Sequence, residues 1–374
     1  MHSLWSRQPF KAMYILFIIP PAMLLAVAHA VFASLMRFGR PHPSWSFRQA
    51  FALRLVKALV KHQSALRMPA PLSLEPGSEG DRFVVVSPAA PARFKGPTDG
   101  VAIQPGKIGG TWSPAPIPAL PRAQQDQLVA LHFHGGAYVA GDGRDDDMGF
   151  LSQTLLQNTP CTHIFTPQYR LSNNPGGRFP AALQDAISSY SYMVHELGIA
   201  PSRIVLSGDS AGGNLALALL RYVSSFGSET DLPWPRAVML WSPWVDIALA
   251  KDPKNAEALP NYSSDYIHSS FGVWGVETLT GDGAVSAMDP YISPVYSPFR
   301  SESPIWVHAG GKELLFGEIM RLLEGLRGAG TSVELAVEDL APHDILNSGR
   351  LLQFEKEAVL GAKLAGEFLG RITG

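Results

Sequence analysis

The chain has 374 residues, 46% hydrophobic and 17% charged, with 35 Gly and 31 Pro, a mix that suits one large loop-rich globular domain or two modest ones and excludes a disordered or collagen-like chain. The single cysteine, Cys161, excludes an internal disulfide framework and any Cys-based zinc or iron–sulfur centre. The net charge of −2 is unevenly spread: residues 1–74 hold nine of the 30 Lys/Arg and no Asp/Glu, leaving 21 basic and 32 acidic side chains in a body that repels polyphosphate, so no nucleic-acid partner is expected.

Between Lys11 and Arg37 run 25 residues without a formal charge. As a helix they measure about 37 Å, against a hydrocarbon core of roughly 30 Å. Residues 1–40 are therefore expected to be a single-pass membrane anchor. The competing reading is a signal peptide with an apolar stretch from Ile15 to Val27, cut at Ala28-His29-Ala30; the apolar sequence continues past that point through Val31, Phe32, Leu35 and Met36, which favours the anchor. Residues 41–80 follow as a helix and a linker. Phe47, Phe51, Leu55, Leu59 and Val60 fall at helical spacing with Arg48, Arg54, Lys57 and Lys61 largely elsewhere. Such a helix either lies on an anionic membrane surface or caps the body. The Pro/Gly/Ser-rich stretch from Pro69 to Gly80 reads as linker.

From Arg82 onward short apolar or β-branched runs alternate with helix-like stretches, the pattern of an α/β protein with a mostly parallel sheet covered on both faces. Strands are expected at Phe83–Ser87, Leu128–His132, Thr162–Thr166, Ile204–Ser207, Ala237–Trp241, Ile305–Val307 and Val333–Val337, and helices at Phe179–Leu197, Ala211–Val223, Glu318–Arg327 and Leu351–Arg371. Residues 81–374 form the expected catalytic domain, and 246–303, rich in Pro, Gly, Tyr and Trp, an insertion over the sheet.

Gly208-Asp209-Ser210-Ala211-Gly212 is a G-x-S-x-G directly after an apolar strand and directly before an alanine/leucine helix. The five-residue pattern alone is weak; its position makes Ser210 a candidate nucleophile on a strained turn. A serine hydroxyl needs a base to take its proton and preorganised donors for the oxyanion. The donors are expected from the glycine turn His134-Gly135-Gly136-Ala137 after a strand, where Gly135 and Gly136 offer backbone N–H groups, joined by the N–H of Ala211. His132 and His134, two apart on a strand, lack a third ligand nearby, so no metal is expected there.

Three motifs in order, His134-Gly135-Gly136-Ala137, then Tyr169-Arg170-Leu171 with Arg178-Phe179-Pro180-Ala181-Ala182-Leu183-Gln184-Asp185-Ala186, then Gly208-Asp209-Ser210-Ala211-Gly212-Gly213, resemble the hormone-sensitive-lipase-like branch of the α/β-hydrolases, whose anchored members include arylacetamide deacetylases and fungal steryl acetyl hydrolases. The resemblance runs from about Val129 to the C-terminus. It implies the α/β-hydrolase fold with N-terminal and inserted cap elements, and a serine carboxylesterase or deacetylase that uses no cofactor. Ala137 stands where the family often has a third glycine.

In this fold the partners follow the nucleophile in the order acid, then histidine. His343, in a loop after the last expected strand, is the candidate base; His268, His308 and His195 compete. The stretch Ile305 to Leu315 resembles the family's strand, glycine loop and carboxylate, which makes Glu313 the candidate acid, with Asp339 and Asp344 as alternatives read as surface charges.

Trp45, Phe47, Phe51, Trp241, Trp244, Tyr262, Tyr266, Phe271 and Trp274 lie in or near the leader and insertion and suggest an apolar pocket, hence a lipophilic ester with a short acyl group. A non-catalytic small-molecule receptor on the same fold is the alternative, and a membrane scaffold a further one. The resemblance points to the endoplasmic reticulum. The side of the membrane is left open: Arg37, Arg40, Arg48 and Arg54 after the apolar run, against Arg7 and Lys11 before it, favour a cytosolic body, whereas the resemblance to lumenal deacetylases favours the lumen, where alone the sequon Asn261-Tyr262-Ser263 is usable.

Overall fold

The computed structural model describes residues 4–100, 102–117 and 127–373. Eight strands form one sheet: β1 Phe83–Val86, β2 Ile108–Ser113, β3 Leu128–Phe133, β4 Cys161–Pro167, β5 Ile204–Asp209, β6 Ala237–Trp241, β7 Ile305–Gly310 and β8 Val333–Glu338. Their order is β1-β2-β4-β3-β5-β6-β7-β8. The first two join antiparallel, and every pairing from β4 to β8 is parallel. β3, β5, β6 and β7 are buried along their whole length, as strands covered on both faces must be. Along β3, Val129, Leu131 and Phe133 face one core and Leu128 and Ala130 the other, the period-two alternation of a pleated strand.

The helices of the body are α4 Asp145–Asn158, α5 Ala181–Ser191, α6 Ser210–Thr230, α9 Phe316–Gly328, α10 Ile345–Leu352 and α11 Glu355–Thr373, with α7 Pro253–Glu257 and α8 Ser269–Leu279 between β6 and β7. All seven expected strands are present. β2 is additional: Gly109 and Gly110 hide it in the sequence, yet they are needed, because a Cβ at either would lie 2.2 Å from the ring of Phe83 or Phe165. α4 is also additional, and three aspartates in its first turn suit its N-terminal dipole. The helix expected at 179–197 begins at Ala181 after Pro180 and ends in a π turn, Tyr192–Glu196. The one expected at 351–371 is two helices, broken at Gln353 with φ +66°.

Before the body, α1 Phe10–Met13 and α2 Ile19–Leu35 join through a π turn, Tyr14–Ile18, and α3 spans Phe47–Leu66. Ser46 and Gln49 make a reciprocal capping box that starts α3. The expected apolar face of α3 is turned inward only in part: Phe51, Leu55 and Val60 are half-buried. Phe47 and Leu59 are exposed, and the buried positions are Ala50, Leu53, His62, Ser64 and Leu66, because α3 is sandwiched between α2 on one side and α8 and α10 on the other. The stretch read as a linker is tied to the body. Arg144 pairs with buried Glu79 at 2.7 Å and donates to the carbonyls of Ser73, Glu75 and Pro76.

Candidate active site

β5 delivers Asp209 and Ser210 to the carboxyl edge of the sheet, where α/β proteins bind ligands. Ser210 opens α6 with φ +50°, a left-handed conformation that strains a serine. The tight turn depends on flanking glycines: a Cβ at Gly208 would sit 2.3 Å from the carbonyl oxygen of Gly212, and one at Gly212 would sit 1.9 Å from that of Phe133. The backbone N–H of Trp244 donates to the Ser210 carbonyl at 3.0 Å, fastening the turn to the segment after β6.

The glycine turn after β3 abuts this serine. A Cβ on Gly135 would lie 3.2 Å from Ser210 Cβ and 2.3 Å from Asp209 Oδ2, so only glycine fits. Gly136 has φ +101°, and a Cβ there would meet the Ala140 carbonyl at 2.3 Å. Ala137 holds φ +53° without being glycine. Tyr169 hydroxyl donates to the His134 carbonyl at 2.7 Å, and the Tyr169 ring stacks on His134 at 4.2 Å. The Tyr-Arg motif thereby supports the turn, while Arg170 grips buried Asp185 at 2.8 Å. Ala211 follows Ser210 and is fully buried.

Glu313 and His343 meet although 30 residues separate them. His343 Nδ1 lies 2.8 Å from Glu313 Oε2, and Glu313 Oε1 accepts from the Gly310 N–H at 2.9 Å. Both side chains are buried. Glycines again permit the approach, since a Cβ at Gly310 would sit 2.4 Å from the Pro342 carbonyl. Burial alone would lower the His343 pKa, but the Glu313 hydrogen bond and charge, helped by Asp265 and Asp209, leave it above its ordinary value.

Ser210, His343, Gly136 and Asp209 line one cavity of about 220 Å³, larger than the engineered apolar cavity of roughly 150 Å³ that holds a benzene ring. Its other walls are Leu249, Ala250, Ala256, Leu259, Ile267 and Phe271 from the segment between β6 and β7, Val60 from α3, and Leu314, Leu315 and Glu318. Of the nine aromatic residues singled out in the sequence, Trp244, Tyr266 and Phe271 line this cavity. Trp45, Trp241 and Trp274 are core, and Tyr262 carries Lys57 on its ring at 3.7 Å.

The competing histidines lie elsewhere or are otherwise engaged. His195 bonds the Asp231 carbonyl at 2.8 Å, and His308 is buried beside Trp241 and Trp306. His268 lines the cavity but its Nδ1 accepts from Ser270 N at the start of α8. His132 has both ring nitrogens taken, by Ser207 Oγ at 2.9 Å and Asp209 Oδ1 at 3.0 Å.

Asp339 is exposed, as expected, but Asp344 is not a surface charge. It is buried, lines the cavity and caps α10, and burial together with the neighbouring Asp209 carboxylate holds its own carboxyl well above the usual range. Asp265, also missed in the sequence, accepts from the N–H of Leu314, next to Glu313. No local pattern marks these contacts, which join segments far apart in the chain.

Comparison with known proteins agrees with this architecture. The family model described as the α/β-hydrolase fold matches residues 130–347. Esterase LipU of Mycobacterium tuberculosis is 29% identical over 257 residues, covering 67% of this chain and 80% of the relative. An acetyl-hydrolase of Streptomyces hygroscopicus is 29% identical over 211 residues, 56% of this chain and 66% of the relative. The solved structure of a hormone-sensitive lipase from a metagenome library superposes with a TM-score of 0.58 at 26% identity, covering 71% of this chain and 82% of that one. With the matched region running from β3 to α10 and so including every residue of the cavity's nucleophile edge, the chain belongs to the α/β-hydrolase family, in its hormone-sensitive-lipase-like branch.

Proposed function

We propose that the protein is a serine carboxylesterase that hydrolyses a lipophilic ester with a short, acetyl-like acyl group, through a Ser210–His343–Glu313 triad. The observation that carries this reading is the buried His343–Glu313 hydrogen bond beside the cavity that Ser210 lines. With Nδ1 committed to Glu313, His343 keeps Nε2 for the Ser210 hydroxyl. As Oγ attacks the ester carbonyl carbon its proton passes to Nε2, and the carbonyl oxygen becomes an oxyanion held by the N–H groups of Gly135, Gly136 and Ala211. Collapse of this intermediate breaks the ester C–O bond, and the imidazolium returns its proton to the leaving alcohol. Water, deprotonated by the same nitrogen, then releases the acid. Glu313 orients the ring and stabilises its charged form.

The acyl preference is supported by the modest size and apolar walls of the cavity and by relatives named esterase and acetyl-hydrolase. Attachment to a membrane through residues 1–40 is supported by Phe10–Leu35, 26 residues long and apolar enough to cross a bilayer. From the resemblance to lumenal deacetylases we infer that this membrane is the endoplasmic reticulum.

The test is hydrolysis of p-nitrophenyl acetate and labelling by a fluorophosphonate probe. Wild type turns over and labels; Ser210→Ala and His343→Ala do neither at comparable rates. Full hydrolysis by either variant overturns the triad, and an unreactive wild type makes the protein a binding module on this fold.

A further inference from the structure

We propose that α1, α2 and α3 seat the protein in one leaflet of an anionic bilayer, with α2 lying in the membrane plane rather than crossing it. The proposal rests on the membrane attachment proposed above and concerns its geometry.

The first observation is that the segment holding α2 is tied to α3 on both sides of it, at the preceding π turn and at its C-terminal end. Tyr14 hydroxyl lies 2.8 Å from His62 Nδ1, and Arg54 Nη1 donates to Ser34 Oγ at 3.0 Å and Nη2 to the Gly39 carbonyl at 2.6 Å. Ala30 and Ser34 are completely buried. A Cβ on Gly39 would sit 2.4 Å from the Ala33 carbonyl, so the turn after α2 is closed tightly.

The second observation is that α3 is fixed to the body. Trp45 indole, just before it, donates to the Leu340 carbonyl at 2.8 Å; Gln49 donates to the Gln353 carbonyl, Lys57 to the Asp265 carbonyl, and Arg67 pairs with Glu277 at 2.7 Å. If α2 crossed a bilayer while keeping its contacts, α3 with Arg48, Arg54, Lys57 and Lys61 would be drawn in beside it, and the body after it. Charged side chains do not enter hydrocarbon without partners or a water-filled path.

The third observation is which side chains α2 turns outward. Leu24 and Phe32 are 72% and 73% exposed, and Leu25 and Leu35 are exposed with them. At 100° per residue these fall on one stripe, roughly opposite small, buried Ala30 and Ser34. A helix that faces its own protein with small residues and the outside with large apolar ones requires an apolar surrounding. Arg7 and Lys11 at one end and Arg37 at the other, in a 74-residue stretch without a carboxylate side chain, suit anionic headgroups. An interfacial helix buries its apolar face about 5–10 Å deep.

The cavity above Ser210 takes Val60 of α3 as part of its wall. A leaflet-seated α2–α3 pair therefore holds the membrane surface one helix away from the cavity, which suits an ester that partitions into lipid.

The full-length protein in sealed vesicles tests this. In a Cys161→Ala background, Leu4→Cys and Ser228→Cys are reacted separately with a membrane-impermeant maleimide before and after detergent. The in-plane seat makes both react, or both resist, before detergent; opposite behaviour of the two sites shows a crossing helix and overturns the proposal while leaving attachment intact. A bimane on Leu25→Cys, quenched by lipids labelled at different depths, should report the headgroup–acyl boundary; quenching strongest at the bilayer centre overturns the in-plane geometry. Release of the protein by alkaline carbonate, or a mature chain lacking its first 30 residues, refutes the attachment itself.

Discussion

The side-chain amide of Asn261 donates to the carbonyl oxygen of Glu313 at 3.1 Å and to that of Gly311 at 3.2 Å. The asparagine of the only sequon noted in the sequence is thus built into the loop that carries the proposed catalytic acid. A glycan on that nitrogen leaves too few donors for both carbonyls and has no room in the half-buried contact. Protein expressed through the secretory route and purified by activity should therefore carry no glycan at Asn261, read by intact mass. Asn261→Ala should lose about 1–3 kcal/mol of stability through the unpaired carbonyls and, by loosening Glu313, lower kcat by roughly tenfold to a hundredfold. Unchanged kcat in the variant would mean that the loop holds the acid without this amide.

Gly135 makes a separate prediction about the oxyanion donors. The Cβ of Gly135→Ala would land 2.3 Å from Asp209 Oδ2 and 3.2 Å from Ser210 Cβ, so the turn must withdraw from the nucleophile. Loss of a single oxyanion donor costs about 10²- to 10³-fold in kcat, and the expected fall in kcat for p-nitrophenyl acetate is of that size, with KM changed little. A variant that keeps its rate would place the oxyanion elsewhere.

These two residues differ in how far the sequence announced them. The glycine turn and the serine elbow are local: a strand, a turn that tolerates no side chain and a helix follow one another within a dozen residues, and the residue types state the backbone geometry. Glu313 and His343 are not local, and their pairing came from the chain order of a resembling family, not from spacing. Asp344, Asp265 and Asn261 were invisible or misread because their roles arise only when the loops after β6, β7 and β8 are brought together. β2 escaped for the opposite reason: its two glycines make way for the Phe83 and Phe165 rings, and a strand chosen for its lack of side chains has no apolar periodicity to read. The apolar face of α3 was only partly legible because periodicity assumes one buried side, whereas α3 has neighbours on two.

The His343–Glu313 pair sets a pH dependence. The base must be neutral to accept the Ser210 proton, and its pKa lies above the ordinary 6.5 because Glu313 outweighs the opposing effect of burial. The acid limb of kcat/KM should accordingly fall above pH 6.5, with activity rising as pH increases through it. Glu313→Gln removes the main raising influence, so the limb should move to lower pH while kcat drops by up to about 10⁴-fold. Glu313→Asp, a methylene shorter, should retain a raised limb at a rate roughly 10²-fold below wild type. A limb that stays in place in Glu313→Gln would show that another group titrates there.

Glu318 gives the last prediction, for stability. Its carboxyl is buried, accepts from the N–H groups of Val245 at 2.9 Å and Asp246 at 3.1 Å, and so braces the segment whose Trp244 N–H holds the Ser210 carbonyl. Burial pushes its pKa up to about 8, against the opposing pull of those two N–H groups. Between the unfolded value near 4.5 and about 8, the native protein keeps a proton that the unfolded chain has released, so this group makes stability fall as pH rises through that window, by at most about 1.4 kcal/mol per unit. Glu318→Gln keeps the accepting oxygen and stays neutral at every pH. The difference in Tm between variant and wild type, measured by calorimetry from pH 5 to 9, should therefore be small at pH 5 and grow in favour of the variant toward pH 8, because all other titrating groups are common to both. Parallel curves would mean that Glu318 ionises near its ordinary pKa and that its two N–H donors compensate fully for burial.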